Sequence, residues 1–345
     1  MKFRQTYCFD DVLLVPTKSD ISSRDEVDIS SNIGDCRFAL PIISSPMDTV
    51  TEGDMMVAMA KLGGLGVLHR YNAPVQQTSV FADSRMRLEE ENHAAASKLS
   101  VAIGSSDDYE KRAKLLVDNG VRILCLDVAH GHHVLTERAI KTLKDSYGDK
   151  VLIMAGNIAT PEAYHDLSTW GADAVRIGIG GGSICSTRVQ TGHGMPTLQS
   201  VMDCSSMDGA TIIADGGIKS AGDIVKSLAA GADFVMLGSM LAGTDESPGD
   251  VLSHSDEGKY KVYRGMASVE AQMDWRGKAR SLEGISTTIP YKGPVKDIIE
   301  NLERNIKSGL SYSGARNIST FQAKAEFIFQ SSAGQLESST HILKR

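Results

Sequence analysis

Eight short runs of branched apolar residues, each followed by a small or polar turn and a helix-like stretch, constrain this 345-residue chain most strongly. They are LPIISS (40–45), LGVLH (65–69), LSVAIG (99–104), RILCLDVA (122–129), VLIMAGN (151–157), AVRIGIG (174–180), TIIADGG (211–217) and FVMLGS (234–239). Near-continuous apolar runs of strand length are what a parallel sheet buried on both faces requires. The intervening segments carry helix boundaries. Ser220 and Asp223 stand in capping-box spacing ahead of Ile224, Val225 and Leu228, with Gly231 as the stop. Pro161 follows Thr160 at another helix start, and Gly171 follows that helix's end. This alternation fits a (β/α)8 TIM barrel, with a doubly wound sheet as the alternative, because periodicity does not report closure. Placement favours the barrel. Polar and glycine-rich residues cluster just after the strands, where a barrel carries its active face.

No Pro/Gly/Ser linker or low-complexity tract divides the chain, so it reads as a single domain over 1–345. The stretch from about 245 to 292 is long, polar and weakly periodic, and reads as a mobile flap over the barrel mouth. A formal net charge of −7 argues against a general binder of nucleic acid or membrane surfaces. No apolar run is long enough to span a membrane, and the N-terminus lacks a signal-peptide core. Five scattered cysteines with no CxxC pair read as reduced thiols, which suggests a cytoplasmic protein.

GIGGGSICSTR (178–188) sets four glycines in five positions ahead of a single thiol, Cys185. Such a loop can hold an anion through N–H groups or a monovalent cation through carbonyls. Cysteine is a strong nucleophile when its thiolate is available, and Arg188 nearby can favour that anion. Asp215, Gly216 and Gly217 follow the seventh run, and Gly238 and Ser239 the eighth. Loops after strands seven and eight often bind phosphate in barrels, so Ser183, Gly217, Gly238 and Ser239 form a candidate phosphate site. Asp215 then stands where a carboxylate can accept both hydroxyls of a ribose, and Asp127 is placed to meet a second ligand. DVAHGHH (127–133) has three histidines in four positions but no completed metal-ligand pattern. GIGGGS lacks the third glycine and the downstream acid of a dinucleotide fingerprint.

Taken together, these blocks resemble the IMP dehydrogenase and GMP reductase family over nearly the whole chain. FDDVLLVP (9–16), SSPMDTVTE (44–52), GGLGVLHR (63–70), LDVAHGH (126–132), MAGNIAT (154–160), GIGGGSICSTR, IADGGI (213–218), VMLGSMLAGTDESPG (235–249), YRGMAS (263–268) and YKGPV (291–295) stand in that family's order. The resemblance implies a (β/α)8 barrel, usually a homotetramer, acting on a purine nucleotide monophosphate. It implies that Cys185 attacks C2 of the purine to form a thioimidate, with Thr187 assisting proton transfer. Asp215 would hold the ribose, and Ser183, Gly217, Gly238, Ser239 and Tyr263 the phosphate. Ser45, Met47, Gly265, Met266 and Ala267 would line the purine. Arg70, Asp127, Val128 and Ala129 would meet the nicotinamide cofactor, and carbonyls of Gly180, Gly182 and Cys185 would bind K⁺.

The same resemblance separates two reactions. The dehydrogenase oxidises IMP to XMP with NAD and must activate a water, for which its flap carries an Arg-Tyr pair as RYF. The flap here lacks that pair, and ARSLEG (279–284) resembles the reductase stretch YRAxEGK at Arg280, Glu283 and Gly284. Glu283 with Thr187 would then manage the proton delivered to the leaving amine. No pair of CBS modules is inserted between Arg70 and LSVAIG, and SSRDEV (22–27) resembles reductases, with Ser23 and Arg24 reaching the NADPH 2′-phosphate across a subunit boundary. SSPMDTVTE, His130 and the tail SSAGQLESS lean toward the dehydrogenase. The expectation is a GMP reductase using NADPH, the alternative an IMP dehydrogenase without CBS modules. Intact Cys185, Thr187 and Glu283 argue against a barrel that only binds nucleotide, and a flavin-dependent barrel would not need this thiol.

Overall fold

All eight apolar runs become strands of one closed parallel barrel. They are β1 (Ile42–Ser44), β2 (Leu65–Leu68), β3 (Ser100–Ile103), β4 (Ile123–Asp127), β5 (Leu152–Ile158), β6 (Ala174–Ile177), β7 (Thr211–Asp215) and β8 (Phe234–Leu237). Each pairs with the next in sequence, and Val235 of β8 registers with Ile42 of β1 to close the ring. The structure is a computed structural model describing residues 3–106, 108–254, 258–279 and 282–338. Closure excludes the doubly wound sheet.

Strand alternation divides the buried residues into two cores. Ile43, Val67, Ala102, Cys125, Met154, Ala174, Ile213 and Phe234 belong to a cluster inside the barrel. Their strand neighbours Leu68, Val101, Leu124, Ile153, Val175 and Val235 belong to the layer under the helices. A hairpin of Ser31–Ile33 and Cys36–Phe38 contributes Ile33, Cys36 and Phe38 to the inner cluster, where the Phe38 and Phe234 rings meet edge-on at 5.8 Å. It plugs one end of the barrel, so the ligand face is the other, at the C-terminal ends of the strands.

The expected helix boundaries hold. Ser220 caps Ala221–Ala229 by accepting from the Asp223 N–H, and Thr160 caps Pro161–Trp170. Gly171 ends the latter with φ +111°, a conformation that a side chain would strain. The 245–292 segment, read as a flap from its weak periodicity, carries regular structure of its own. It holds an antiparallel sheet of β9 (Leu252–His254), β10 (Gly258–Arg264) and β11 (Ser286–Pro290), with a helix at Val269–Arg276. Its periodicity is masked because the polarity of β10 is inverted. Lys261 is buried at 3% exposure, whereas its neighbour Val262 is 39% exposed.

Candidate active site

Inward parity places a charged layer at the ligand end of the barrel. Asp127 ends β4, Asp215 ends β7, and Arg176 on β6 shares the parity of Ala174, which faces the inner core. Buried Arg176 spans both acids, its Nη1 donating to Asp127 Oδ1 at 2.7 Å and its Nη2 to Asp215 Oδ2 at 2.9 Å. Burial opposes its charge, but the Cys125, Asp215 and Asp127 side chains around it hold its pKa well above the ordinary value. Asn157 Nδ2 donates to the same Asp215 oxygen at 2.8 Å and to the Gly178 carbonyl at 2.8 Å. Asp215 is thereby fixed in one orientation through that one oxygen.

The glycine loop after β6 lies directly on the loop after β7. A Cβ at Gly178 would sit 1.8 Å from the Asp215 carbonyl oxygen, and one at Gly216 would sit 3.1 Å from the Gly182 nitrogen. This close backbone approach is what the glycines permit. Cys185 leaves the loop exposed, its Sγ 3.1 Å from Thr187 Oγ1. Thr187 in turn donates to Glu283 Oε2 at 3.0 Å. The carboxylate is carried by the flap, yet it is held on the cysteine loop by backbone pairing. Cys185 bridges Gly284 in antiparallel fashion, Ser186 N–H donates to Glu283 O at 3.0 Å, and Ile285 N–H to Ile184 O at 3.1 Å.

A cavity of about 380 Å³ opens over this layer. Cys185, Thr187, Glu283, Gly284, Gly180 and Gly182 form one side, and Ser45 and Met47 after β1 another. Tyr263, Gly265, Met266 and Ala267 come from the flap, while Asp215 lies beneath. Arg70, Asp127, Val128 and Ala129 wall the remaining side. Among the described residues Ser45 Oγ is buried without a hydrogen-bond partner, as an atom serving a ligand would be. At one end the Tyr263 hydroxyl reaches toward Ser183 Oγ (3.5 Å) and Ser239 and lies against Gly238, where a Cβ would approach it to 3.2 Å. Burial raises the Tyr263 pKa against the opposing Ser183 hydroxyl, so the phenol remains a donor. Gly217, at φ +78°, adjoins the Gly181 carbonyl. Ser183, Gly238, Ser239 and Tyr263 therefore converge, and Gly217 stands by the glycine loop that leads to Ser183.

Other expectations separate from the cavity. Ser23 caps the short helix Arg24–Glu26 and, with Arg24, borders a different depression beside Ser311. Within one chain neither residue reaches the mouth. Arg280 lies outside the described residues. Arg188, expected near the thiol, donates from Nη2 to the Met195 carbonyl at 2.8 Å, and its stem packs on Gly180 and Gly194. His132 pairs with Asp166 at 2.9 Å, and His133 caps helix Val134–Tyr147, so two of the three clustered histidines have structural partners. Sequence reading missed Arg176, whose signal was a lone charge inside an apolar strand, and Asn157. It also missed Tyr71 and Trp275, whose rings stack at 4.1 Å and 11° with the Tyr71 hydroxyl donating to Met266 O at 2.6 Å. That pair joins residues remote in sequence and left no local signal.

Comparison with known proteins agrees with this geometry. The family model described as the IMP dehydrogenase / GMP reductase domain matches residues 6–341. An inosine-5′-monophosphate dehydrogenase of Nitrosopumilus maritimus is 33% identical over 99% of this chain and 99% of its own length. A GMP reductase of Leishmania donovani is 32% identical over 98% of this chain and 97% of its own. The two alignments run to 473 and 477 residues, longer than this chain, so extra length accompanies either name and does not tell them apart. A crystal structure of a cysteine-to-alanine GMP reductase variant from Trypanosoma brucei, in complex with guanosine 5′-monophosphate, superposes with TM-score 0.89 at 30% identity, covering 98% of both chains. With a barrel matched along its whole length and a thiol, a threonine and paired acids gathered at its mouth, the chain belongs to the IMP dehydrogenase / GMP reductase family of oxidoreductases.

Proposed function

We propose that this protein is a GMP reductase, converting GMP to IMP and ammonia with NADPH. The observation that carries the reading is the run Cys185 Sγ, Thr187 Oγ1, Glu283 Oε2 at 3.1 and 3.0 Å. Thiol attack and amine departure need one proton moved off sulfur and then onto nitrogen, and this hydrogen-bonded path supplies it. Cys185 Sγ bonds to purine C2 while its proton passes through Thr187 to Glu283. The relay then returns that proton to the 2-amino group, the C2–N bond breaks, and ammonia leaves a thioimidate. NADPH, when bound, supplies the hydride to C2. The C2–S bond then breaks, releasing IMP and a thiolate that takes a proton to restore the thiol. A dehydrogenase would instead need a base for water, and the flap contains no Arg-Tyr pair.

The remaining roles follow the cavity walls. The hydroxyls of Ser183, Ser239 and Tyr263, with backbone at Gly217 and Gly238, hold the nucleotide phosphate. Asp215 holds the ribose, and Ser45, Met47, Gly265, Met266, Ala267 and Gly284 enclose the purine. Arg70, Asp127, Val128 and Ala129 form the cofactor wall, where Arg70 lies 3.6 Å from Asp127 and keeps its charge at the cavity. Ser23 and Arg24 reach a neighbouring copy's cofactor in a homotetramer. Carbonyls of Gly180, Gly182 and Cys185 hold K⁺ and so brace the cysteine loop; neutral oxygens suit a monovalent cation. Gly182 O accepts the Cys185 N–H at 3.1 Å, closing the turn on which these carbonyls stand.

The test is a paired assay at the reduced-nicotinamide absorbance. GMP with NADPH should consume absorbance and release ammonia in equal amount. Absorbance gained with IMP and NAD, and none lost in the first mixture, would assign the dehydrogenase instead.

A further inference from the structure

The phosphate site proposed above has a charge problem. Its side-chain donors, the hydroxyls of Ser183, Ser239 and Tyr263, are neutral, whereas a nucleotide monophosphate carries up to two negative charges. A cation stands behind them. Lys292, just past β11, sends its ammonium to the carbonyls of Ser239 (2.5 Å) and Met240 (3.2 Å), and its own N–H bonds to Gly243 O at 2.8 Å. Among the described residues its ammonium has no carboxylate partner, and burial lowers its pKa. A half-buried ammonium with only neutral partners is costly unless an anion compensates it.

The turn explains how such compensation can act. Leu241 and Ala242 N–H groups both bond to Gly238 O, at 3.0 and 2.9 Å, so residues 238–242 form one tight turn. In a trans peptide the carbonyl and the next N–H point to opposite sides. Holding Ser239 C=O toward Lys292 therefore turns the Met240 N–H away from it and polarises that group. Lys261 shows that carbonyl anchoring alone is a separate matter. Its ammonium donates to Thr244 O (2.9 Å) and Ser247 O (2.6 Å) further along the same loop, away from Ser239.

We propose that Lys292 is a positioning residue for the nucleotide phosphate, adding positive charge to that site through the Ser239–Met240 backbone. This rests on the phosphate site read above but not on which reaction follows, because GMP and IMP carry the same phosphate.

The test compares nucleotide with nucleoside. Dissociation constants for GMP, IMP and guanosine are measured on the full-length protein and on Lys292→Met, Lys292→Gln, Lys292→Arg and Lys261→Met. Lys292→Met should weaken GMP and IMP by roughly ten-fold while leaving guanosine within about two-fold. Lys292→Gln keeps a donor for Ser239 O without the charge, and should show the same phosphate-specific loss even if the Met variant does not fold. Lys292→Arg should retain most of the affinity. Lys261→Met should leave the GMP-to-guanosine ratio unchanged. Equal weakening of GMP and guanosine in the Gln variant, or no weakening of either, would overturn the proposal. A phosphate-specific loss in a protein that turns over only IMP with NAD would sustain it and overturn the reductase reading alone.

Discussion

Thr187 donates its hydroxyl proton to Glu283 at 3.0 Å, joining the barrel's cysteine loop to a flap carboxylate 96 residues away in sequence. The contact is not left to side-chain chance. Backbone pairing of Ser186 with Glu283 and of Ile184 with Ile285 fixes the carboxylate's distance from the thiol. If these groups act as one relay, Glu283→Gln and Thr187→Val should each lower kcat by about 10²- to 10⁴-fold, the range of a positioned proton-transfer group. The double variant should fall little further than the worse single one. GMP affinity should hardly move. Steady-state kinetics with binding titrations would check this, and fully multiplicative losses would show two independent roles.

Cys185→Ala should bind nucleotide yet give no turnover. In the intact protein, nucleotide should protect the exposed thiol from iodoacetamide, since the same cavity encloses both. Mass spectrometry of the labelled peptide reads this directly. Ordinary activity in the alanine variant would remove the thiol from the chemistry.

Arg176→Met should destabilise the fold by about 3–5 kcal/mol, because it removes the buried guanidinium that two carboxylates now share. Arg176→Lys should not restore stability, since a single ammonium cannot fork between Asp127 and Asp215. Chemical denaturation would measure both variants.

Alkaline pH should erode stability. Burial pushes the thiols of Cys125 and Cys204 from the ordinary 9.0 up to about 12, and the Tyr164 phenol from 10.0 up to about 12. The folded state keeps these groups protonated while the unfolded chain releases their protons. Their contribution is therefore complete below about pH 9 and is lost as pH rises toward 12. The melting temperature should fall steadily above pH 9, and Cys204→Ala should fall less steeply than the parent.

The stacked pair of Tyr71 and Trp275 offers a reporter on the flap. Trp170→Phe would leave Trp275 as the sole indole, and nucleotide or cofactor entering the cavity beside Tyr71 should change its emission. Tyr71→Phe keeps the stack but removes the hydroxyl's bond to Met266 O, and should raise the KM for nucleotide several-fold with little change in kcat. An unchanged KM would show that the Met266 loop holds its place without that bond.

The eight strands and their helix caps were legible because local chemistry decides them. Apolar runs, a proline at a helix start and a glycine past its end act within a few residues. The same holds for Cys185, Thr187 and the glycines around them, which lie in one contiguous phrase. The strands inside the flap escaped that reading for an equally physical reason. In β10 a buried Lys261 takes the core position and Val262 the exposed one, because the lysine's partners are backbone carbonyls of a distant loop. Burial of that ammonium cannot be inferred before its acceptors are known.

The amino-acid order alone determined a parallel α/β architecture, the strand ends on which the acids stand, and the identity of the cysteine loop. Barrel closure, the Arg176 fork, the approach of Glu283 to Thr187 and the seat of Lys292 behind Ser239 were decided only in three dimensions. Each of these joins groups from separate strands or from the flap and the barrel, so each comes from long-range packing rather than from any preference a short segment carries.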